Sequence, residues 1–157
     1  MDVFTVSLFG HREVSDLKKF EEKLITIVND LLSEKRYVVF FIGRNGEFDE
    51  YAASVIKRVQ NKYGKENSNL TLILPYTVAD IEYYDKYYDD IIIPEELSGV
   101  HPKLKITLRN KWMVERSDLV IVYVDHTKGG AYTAMKYAIK LNKTVVSLCE
   151  QDGSSFI

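Results

Sequence analysis

Three loops in this sequence contain the residue types that bind phosphate groups. Each follows an apolar segment, and two of them contain two glycines each, which permit positive φ angles and expose backbone N–H groups. The loop residues are Gly10, His11 and Arg12 in the first, Gly43, Arg44, Asn45 and Gly46 in the second, and Gly129, Gly130, Ala131, Tyr132 and Thr133 in the third. N–H groups at a helix start and the helix dipole both attract anions. The sequence therefore predicts a phosphorylated small molecule as the ligand.

Each loop also has a structural interpretation, which stays open beside the functional one. Gly43 and Gly46 can serve only a tight strand-to-helix turn. Arg12 can bind phosphate through two parallel hydrogen bonds, or it can pair with a surface carboxylate such as Glu13. His11 can bind a ribose hydroxyl, or it can cap its own turn.

Glu47 and Asp49 follow the second loop and are the acidic residues best placed for chemistry. A carboxylate there can act as nucleophile or general base at an anomeric carbon, or it can bind ribose hydroxyls. It can equally stabilise the start of the following helix. Arg109 lies on a predicted helix that leads into the fourth apolar segment, where it either faces solvent or reaches the ligand.

Tyrosine is unusually frequent in the segment that follows the third apolar run. Five of the 11 tyrosines of the chain lie between Tyr76 and Tyr88. Tyr76 is nearest the strand end, and we expect it to contact the ligand. The other four, Tyr83, Tyr84, Tyr87 and Tyr88, are expected to pack the loop or a partner, because tyrosine is enriched at interface centres.

Several common site types have no counterpart in the sequence. It contains neither the three-glycine dinucleotide fingerprint nor a GxxxxGK[ST] phosphate loop, which disfavours NAD chemistry and P-loop hydrolysis. Its three histidines lack suitably spaced cysteine or glutamate partners, so we expect no metal site. No cofactor is expected.

The elements that would position these residues alternate along the chain. Five apolar runs have the length of strands: Val3 to Phe9, Tyr37 to Ile42, Leu70 to Leu74, Leu119 to Val124, and Thr144 to Leu148. Amphipathic or helix-forming segments separate them at 15–35, 48–63, 104–116 and 131–141. This alternation predicts a Rossmann-like three-layer α/β sandwich with a mainly parallel, five-stranded sheet. The long connection 75–102 contains an apolar triplet, 91–93, which forms either a short edge strand or a tucked loop.

Composition narrows the classes of partner and compartment. The chain has 21 basic and 23 acidic residues and a net charge of −2, which argues against duplex nucleic acid and membrane surfaces as partners. A single cysteine, Cys149, and the lack of a signal sequence or a membrane-length apolar run predict a cytoplasmic protein. The length fits one domain over residues 1–150, with a short tail at 151–157.

Five stretches together resemble the SLOG superfamily, and within it the YpsA-like (DUF1273) proteins. They are TVSLFGHR, GRNGEFDEYAAS, LPY, RNKWMVERSDLVIVYV and KGGAYTAMKYAIK, and their order and spacing agree from Phe4 to Leu148. The resemblance implies a Rossmann-like fold that binds nucleotides or nucleotide-derived ligands such as ADP-ribose species. Dimers are common among the relatives, so we expect a homo-oligomer.

The chain is also similar to the lysine-decarboxylase-like (LONELY GUY) phosphoribohydrolases, with departures at important positions. The resemblance places Arg109 on the functional arginine of that group, Gly129, Gly130 and Thr133 on its phosphate loop, and Asp118 on the acid before the strand. However, Lys128 replaces the loop proline, Tyr132 a loop glycine, and Lys136 the catalytic glutamate. Lysine cannot stabilise oxocarbenium character or activate water as a carboxylate does.

Three functions follow from these observations. The first is a domain that binds a nucleotide or ADP-ribose-like molecule as a sensor or sequestering module. The second is an N-glycosidic hydrolase or transferase acting on nucleoside 5′-monophosphates, with Glu47 or Asp49 as the catalytic carboxylate. The third is a structural interaction protein built on the tyrosine surface. For the first two, we expect Arg12, Arg44, Arg109 and Lys128 to gather at one edge of the sheet.

Overall fold

The computed structural model describes residues 2–149 and contains one parallel sheet of six strands. The strands are β1 (Val3–Gly10), β2 (Tyr37–Ile42), β3 (Ser68–Ile73), β4 (Asp90–Ile92), β5 (Leu119–Tyr123) and β6 (Thr144–Ser147), in the order β4-β3-β2-β1-β5-β6. The helices are α1 (Leu17–Glu34), α2 (Glu47–Tyr63), α3 (Ile81–Tyr87), α4 (Pro102–Glu115) and α5 (Gly130–Lys140). The predicted Rossmann-like three-layer sandwich is confirmed, with one strand more than expected.

Helices cover both faces of the sheet, which explains why the strands are apolar almost throughout. On one face, α1, α2 and α3 pack over residues such as Leu8 and Phe40, both 1% exposed or less. On the other, α4 and α5 pack over Phe9, Phe41 and Ile73. Successive residues of one strand thus enter two different apolar layers.

The sixth strand comes from the apolar triplet whose state the sequence left open. Asp90 to Ile92 pair with β3 at the edge of the sheet, and the Asp89 carboxylate accepts a 2.7 Å hydrogen bond from Leu70 N. The tyrosine-rich segment before it folds into α3. Tyr84 and Tyr88 of that segment are 8% and 4% exposed and belong to the core, so neither can form a partner surface. Tyr83, by contrast, is 66% exposed.

The chain reverses its direction of travel across the sheet beside β1. It builds β2, β3 and β4 on one side of β1, and then crosses over to place β5 and β6 on the other. In open parallel sheets, ligands bind beyond the carboxyl ends of the strands at such a reversal. The crevice beyond the ends of β1 and β5 is therefore where the topology alone places a site.

Polar contacts join β1 to β5 at the opposite edge of the sheet, near the amino ends of the strands. Thr5 N donates to Asp118 Oδ2 and Asp118 N donates to Thr5 O, both at 2.8 Å. Nearby, the hydroxyl oxygens of Ser7 and Ser117 lie 2.6 Å apart, and both residues are buried. Asp118 thus fixes the register of the two strands that frame the crevice.

The first helix begins at Leu17, two residues after the start of the predicted segment. The N-cap residue of α1 is Asp16, whose carboxylate accepts a 3.3 Å bond from Lys19 N, and the hydroxyl oxygen of the preceding Ser15 lies 3.4 Å from the Tyr123 hydroxyl. No described helix is both long and apolar enough to cross a membrane. The predicted tail, 151–157, lies outside the described residues.

Candidate functional site

A cavity of about 420 Å³ occupies the crevice beyond β1 and β5. Its walls come from the ends of these strands, from the loops after β2 and β5, and from one side of α4. The polar and glycine residues that line it are Gly10, His11, Arg12, Glu13, Gly43, Asn45, Asp49, Arg109, Asn110, His126, Lys128, Gly129 and Gly130. Loops far apart in the sequence thus line one cavity.

The β5–α5 loop presents an uncapped helix start to this cavity. Gly129 is the N-cap residue of α5 and has φ +92, a conformation that favours glycine. As a glycine it has no side-chain oxygen to accept bonds from the first N–H groups of the helix. Lys128 and Gly130 flank it, and all three residues are exposed. Helix starts of this kind can bind an anion.

Asn110 joins α4 to the same loop. Its Oδ1 accepts a 2.9 Å hydrogen bond from Arg109 Nε, which orients the amide. The other end of the amide faces the start of α5, because Asn110 Nδ2 would lie 3.6 Å from a Cβ placed on Gly130. The Asn110 amide thus places an additional N–H donor beside the uncapped N-terminus of α5.

Arg109 is a buried cation at the back of the cavity, only 2% exposed. Its Nη1 donates a 2.8 Å bond to the carbonyl oxygen of Ile73, at the end of β3. Burial lowers its pKa below the ordinary arginine value, although the Asp49 carboxylate opposes that shift. With two donors held by protein acceptors, Arg109 organises the wall and contributes positive charge to it.

Asp49 is the carboxylate that enters the cavity wall from α2. It is 7% exposed, and its Oδ2 accepts a 2.9 Å bond from Asn45 N. Burial raises its pKa to about 6, although the Asn45 hydrogen bond and the Arg109 charge both act in the opposite direction. A group with that pKa exchanges a proton near neutral pH.

The β2–α2 loop is packed against the rest of the protein. A Cβ on Gly46 would lie 2.5 Å from Arg12 Cα, and a Cβ on Gly43 would lie 2.9 Å from Arg109 Nη1. The N–H of Glu47, in the first turn of α2, donates a 2.8 Å bond to Arg12 O. The close approach of Arg12 and Arg109 gives these two glycines a packing role.

His11 and His126 form a stacked pair at the cavity mouth, with ring centroids 3.6 Å apart and planes 16° apart. His11 Nε2 accepts a 3.2 Å bond from Asp125 N, and His126 Nδ1 lies 2.6 Å from Asp125 Oδ1. Burial, and then the neighbouring His126, lower the pKa of His11, while Asp125 acts to raise it. The neutral form of His11 is thereby favoured.

The structure brings most of the predicted site residues together. Those that line the cavity are Gly10, His11, Arg12, Gly43, Asn45, Asp49, Arg109, Gly129, Gly130 and Ala131. Six others are not among the lining residues: Arg44, Gly46, Glu47, Tyr76, Tyr132 and Thr133. Arg44 instead lies over the Tyr84 ring, 4.3 Å from its centroid. The roles of all these residues stay predictions.

Sequence reasoning missed Asn110 and His126. Asn110 follows Arg109 directly, and consecutive helix residues do not normally share a face, so spacing gave no reason to pair them. His126 lies in the β5–α5 loop, which was selected from the sequence only for its glycines. Its partner His11 is 115 positions away, and only the parallel pairing of β1 with β5 brings the two loops together.

Comparison by sequence finds no relatives for this chain. No protein-family model matches it, and no curated protein matches it.

Comparison by structure finds proteins of the same fold. DNA processing protein A from Streptococcus pneumoniae superposes with a TM-score of 0.67 at 15% identity, over 96% of this chain and 52% of that protein. The Helicobacter pylori protein of the same name gives 0.65 at 15% identity, over 97% and 68%. The molybdenum cofactor carrier protein of Chlamydomonas reinhardtii gives 0.56 at 12% identity, over 93% and 76%. The chain spans about half the length of the pneumococcal protein.

These neighbours correct the prediction about partners. The Helicobacter pylori structure is described by its single-stranded DNA binding mode, so a protein of this fold does bind nucleic acid. The prediction excluded only duplex nucleic acid, on the ground that the net charge is −2, and this use of the net charge to dismiss a nucleic-acid partner was wrong. A whole-chain sum does not report local charge, and Arg12, Arg109 and Lys128 line one cavity. At 12–15% identity these neighbours show that the fold is shared, and no more.

Proposed function

We propose that the cavity binds the phosphate of a nucleotide, either free or as a unit of single-stranded DNA. The observation that carries this proposal is the uncapped start of α5, with Gly129 at φ +92, facing a cavity that Arg12, Arg109 and Lys128 also line. Helix N–H groups and cations together are the usual protein complement of a phosphate. The YpsA-like assignment and a sensing or sequestering role belong to the same proposal.

The size of the cavity fits a small ligand unit. A volume of about 420 Å³ lies within the range of pockets that hold small molecules. Its wall also contains apolar side chains, Ile106 and Met113 among them, against which a base or sugar can pack. The loop and the lysine would then bind the phosphate, and α4 would contact the remainder of the nucleotide.

Both sources of the phosphate can be compared in one binding experiment. Isothermal titration in EDTA with nucleoside monophosphates, ADP-ribose and a short single-stranded oligonucleotide should reveal at least one ligand. Competition between the oligonucleotide and the best free nucleotide then tells whether they share the cavity. Folded protein that binds none of these probes would refute the proposal.

Lys128→Glu and Lys140→Glu form a matched pair for locating the ligand. Both lysines are exposed and both substitutions change the charge equally, but only Lys128 lines the cavity, and Lys140 lies at the other end of α5. We expect Lys128→Glu to weaken binding at least about tenfold, which is about 1.4 kcal/mol, and Lys140→Glu to change it less than about twofold. Equal losses in the two variants would mean that the phosphate binds elsewhere.

A second candidate function is hydrolysis of the N-glycosidic bond, and one observation favours it. Asp49 lines the cavity, is buried, and has a pKa raised to about 6, which suits a general base. Glu47, the other predicted catalytic carboxylate, is exposed and outside the cavity lining. Chromatography of nucleoside monophosphates incubated with the protein should then show base release that Asp49→Asn abolishes and Glu47→Gln leaves unchanged.

A further inference from the structure

We propose that His11, Asp125 and His126 form a binding site for one divalent transition-metal ion of the zinc type at the mouth of the cavity. The ligand atoms of these three residues all lie within 4.8 Å of one another. His11 and His126 line the cavity. This site goes beyond the proposed nucleotide binding and does not depend on it.

The distances are close to those of a tetrahedral site. Zinc binds histidine nitrogen and carboxylate oxygen at about 2.0–2.2 Å, which places neighbouring ligand atoms about 3.3 Å apart. His11 Nε2 lies 3.4 Å from Asp125 Oδ1, which agrees with that spacing. His126 Nδ1 lies closer, at 2.6 Å from the same oxygen, as expected for two atoms that share a proton. Replacing that proton by a metal ion would move them apart.

The donor set suits a transition metal better than Mg²⁺ or Ca²⁺. Two imidazoles and one carboxylate are ligands typical of zinc and its neighbours, whereas the alkaline-earth ions prefer oxygen ligands alone. His11 Nε2 accepts a hydrogen bond from Asp125 N, so it is the unprotonated nitrogen of that ring. Its one lone pair faces the Asp125 segment and is used by this hydrogen bond, so a bound metal ion would replace the Asp125 N–H as its partner.

The site combines one fixed ligand with two adjustable ones. The His11 side chain is 6% exposed, whereas the side chains of Asp125 and His126 are 44% and 56% exposed. The two stacked rings are nearly parallel, so metal binding requires the exposed His126 ring to tilt out of the stack. Three protein ligands leave a fourth position, which water or a ligand oxygen can occupy from the cavity side.

Zinc titration of tag-free protein without nucleotide tests the site directly. Calorimetry should show one Zn²⁺ per chain, and Co²⁺ should produce the visible absorption bands of a low-coordinate site that Zn²⁺ then removes. Zinc should also raise the melting temperature, because it binds only the folded chain. Absence of binding, or Co²⁺ spectra of a hydrated ion only, would overturn the proposal.

His126→Ala and His101→Ala are the variants that localise the metal. Both replace an exposed histidine, but His101 lies at the start of α4, where it accepts a 3.1 Å bond from Lys103 N. Removing a zinc ligand should weaken zinc binding at least about 100-fold, since even residues that only support ligands cost 10–100-fold. His101→Ala should retain wild-type affinity within about twofold. Equal affinities in the two variants would refute the assignment.

The metal and nucleotide proposals can fail separately. Zinc binding is measured in the absence of nucleotide, and nucleotide binding is measured in EDTA. If both occur, adding Zn²⁺ to the nucleotide titration shows whether the fourth position contacts the phosphate. If the protein binds zinc but none of the nucleotides, the metal site is supported and the proposed function is refuted.

Discussion

The two glycine loops at helix starts have similar composition but opposite structural roles. In the β2–α2 loop, Gly43 and Gly46 lie against Arg109 and Arg12, which leave no room for a Cβ. In the β5–α5 loop, a Cβ on Gly129 would meet no other atom within 4 Å, and this glycine is needed for its positive φ instead. The comparison shows that glycine permits either close packing or an unusual backbone angle.

The hydrogen bonds of the two loops follow the same division. The β2–α2 loop uses its own N–H groups inside the protein, since Glu47 N donates to Arg12 O and Asn45 N donates to Asp49 Oδ2. The start of α5 has no side-chain cap. The first loop is therefore part of the packed cavity wall, and the proposed function predicts that the second binds the ligand.

Gly46→Ala should have the largest effect on stability. Its new methyl group would lie 2.5 Å from Arg12 Cα, a backbone atom that cannot move without shifting the end of β1. We expect urea unfolding to show a loss of about 3 kcal/mol. Gly130→Ala is the control, because its Cβ meets its nearest neighbour at an ordinary 3.6 Å. Similar losses at the two positions would abolish the distinction between the loops.

Asp49→Asn should make stability less dependent on pH. The pKa of Asp49 is about 6 in the folded chain and 3.8 for an unperturbed carboxyl, so the folded state holds this proton more tightly. The stabilisation that results is fully present below about pH 4 and is lost as the pH rises through 6. The difference corresponds to about 2 to 3 kcal/mol.

Urea unfolding of the wild type and of Asp49→Asn at four pH values between 4 and 7 measures the pH-dependent contribution of Asp49 to the free energy of unfolding. The charged and titratable groups that face Asp49 are Arg109, Arg44, Glu50 and Tyr88. These groups are present in both proteins, so the difference between the two plots of unfolding free energy against pH gives the contribution of the Asp49 carboxyl alone. Parallel curves would show that Asp49 is an ordinary ionised carboxylate.

Gly129→Ala should have the smallest effect on stability and a clear effect on binding. A side chain at φ +92 costs about 1 kcal/mol, since nothing nearby hinders the methyl group itself. Relaxation of that angle would turn the first N–H groups of α5 away from the ligand. We expect nucleotide affinity to fall at least about fivefold in the titration used above, and unchanged affinity would exclude this loop from the site.

The fold was predictable because its signals are local. Each long strand is a nearly continuous apolar run, and the helices between them repeat with the helical period. The edge strand β4 was ambiguous because three residues carry no readable period. The sequence left open whether Tyr84 and Tyr88 pack their own loop or a partner, because tyrosine composition does not tell a core side chain from an exposed one; both are buried in the core.

The site was predictable as a set of loops and not as a set of contacts. The rule that ligands bind at the carboxyl ends of strands selected the correct segments. The contact of Gly43 with Arg109 and the stacking of His11 on His126 join positions more than 60 residues apart. Such pairs depend on strand order, which composition and spacing do not encode.

The contacts between β1 and β5 have a consequence for how the protein folds. Thr5 and Asp118 are 113 positions apart, whereas β1 meets β2 across a much shorter stretch of chain. Closing the longer loop costs more chain entropy, so β1–β4 should be able to assemble before β5 joins β1. A partly folded chain of that kind would contain the contact of Gly46 with Arg12 but no cavity. Native-state hydrogen exchange should accordingly show the Thr5 amide opening together with β5 and β6.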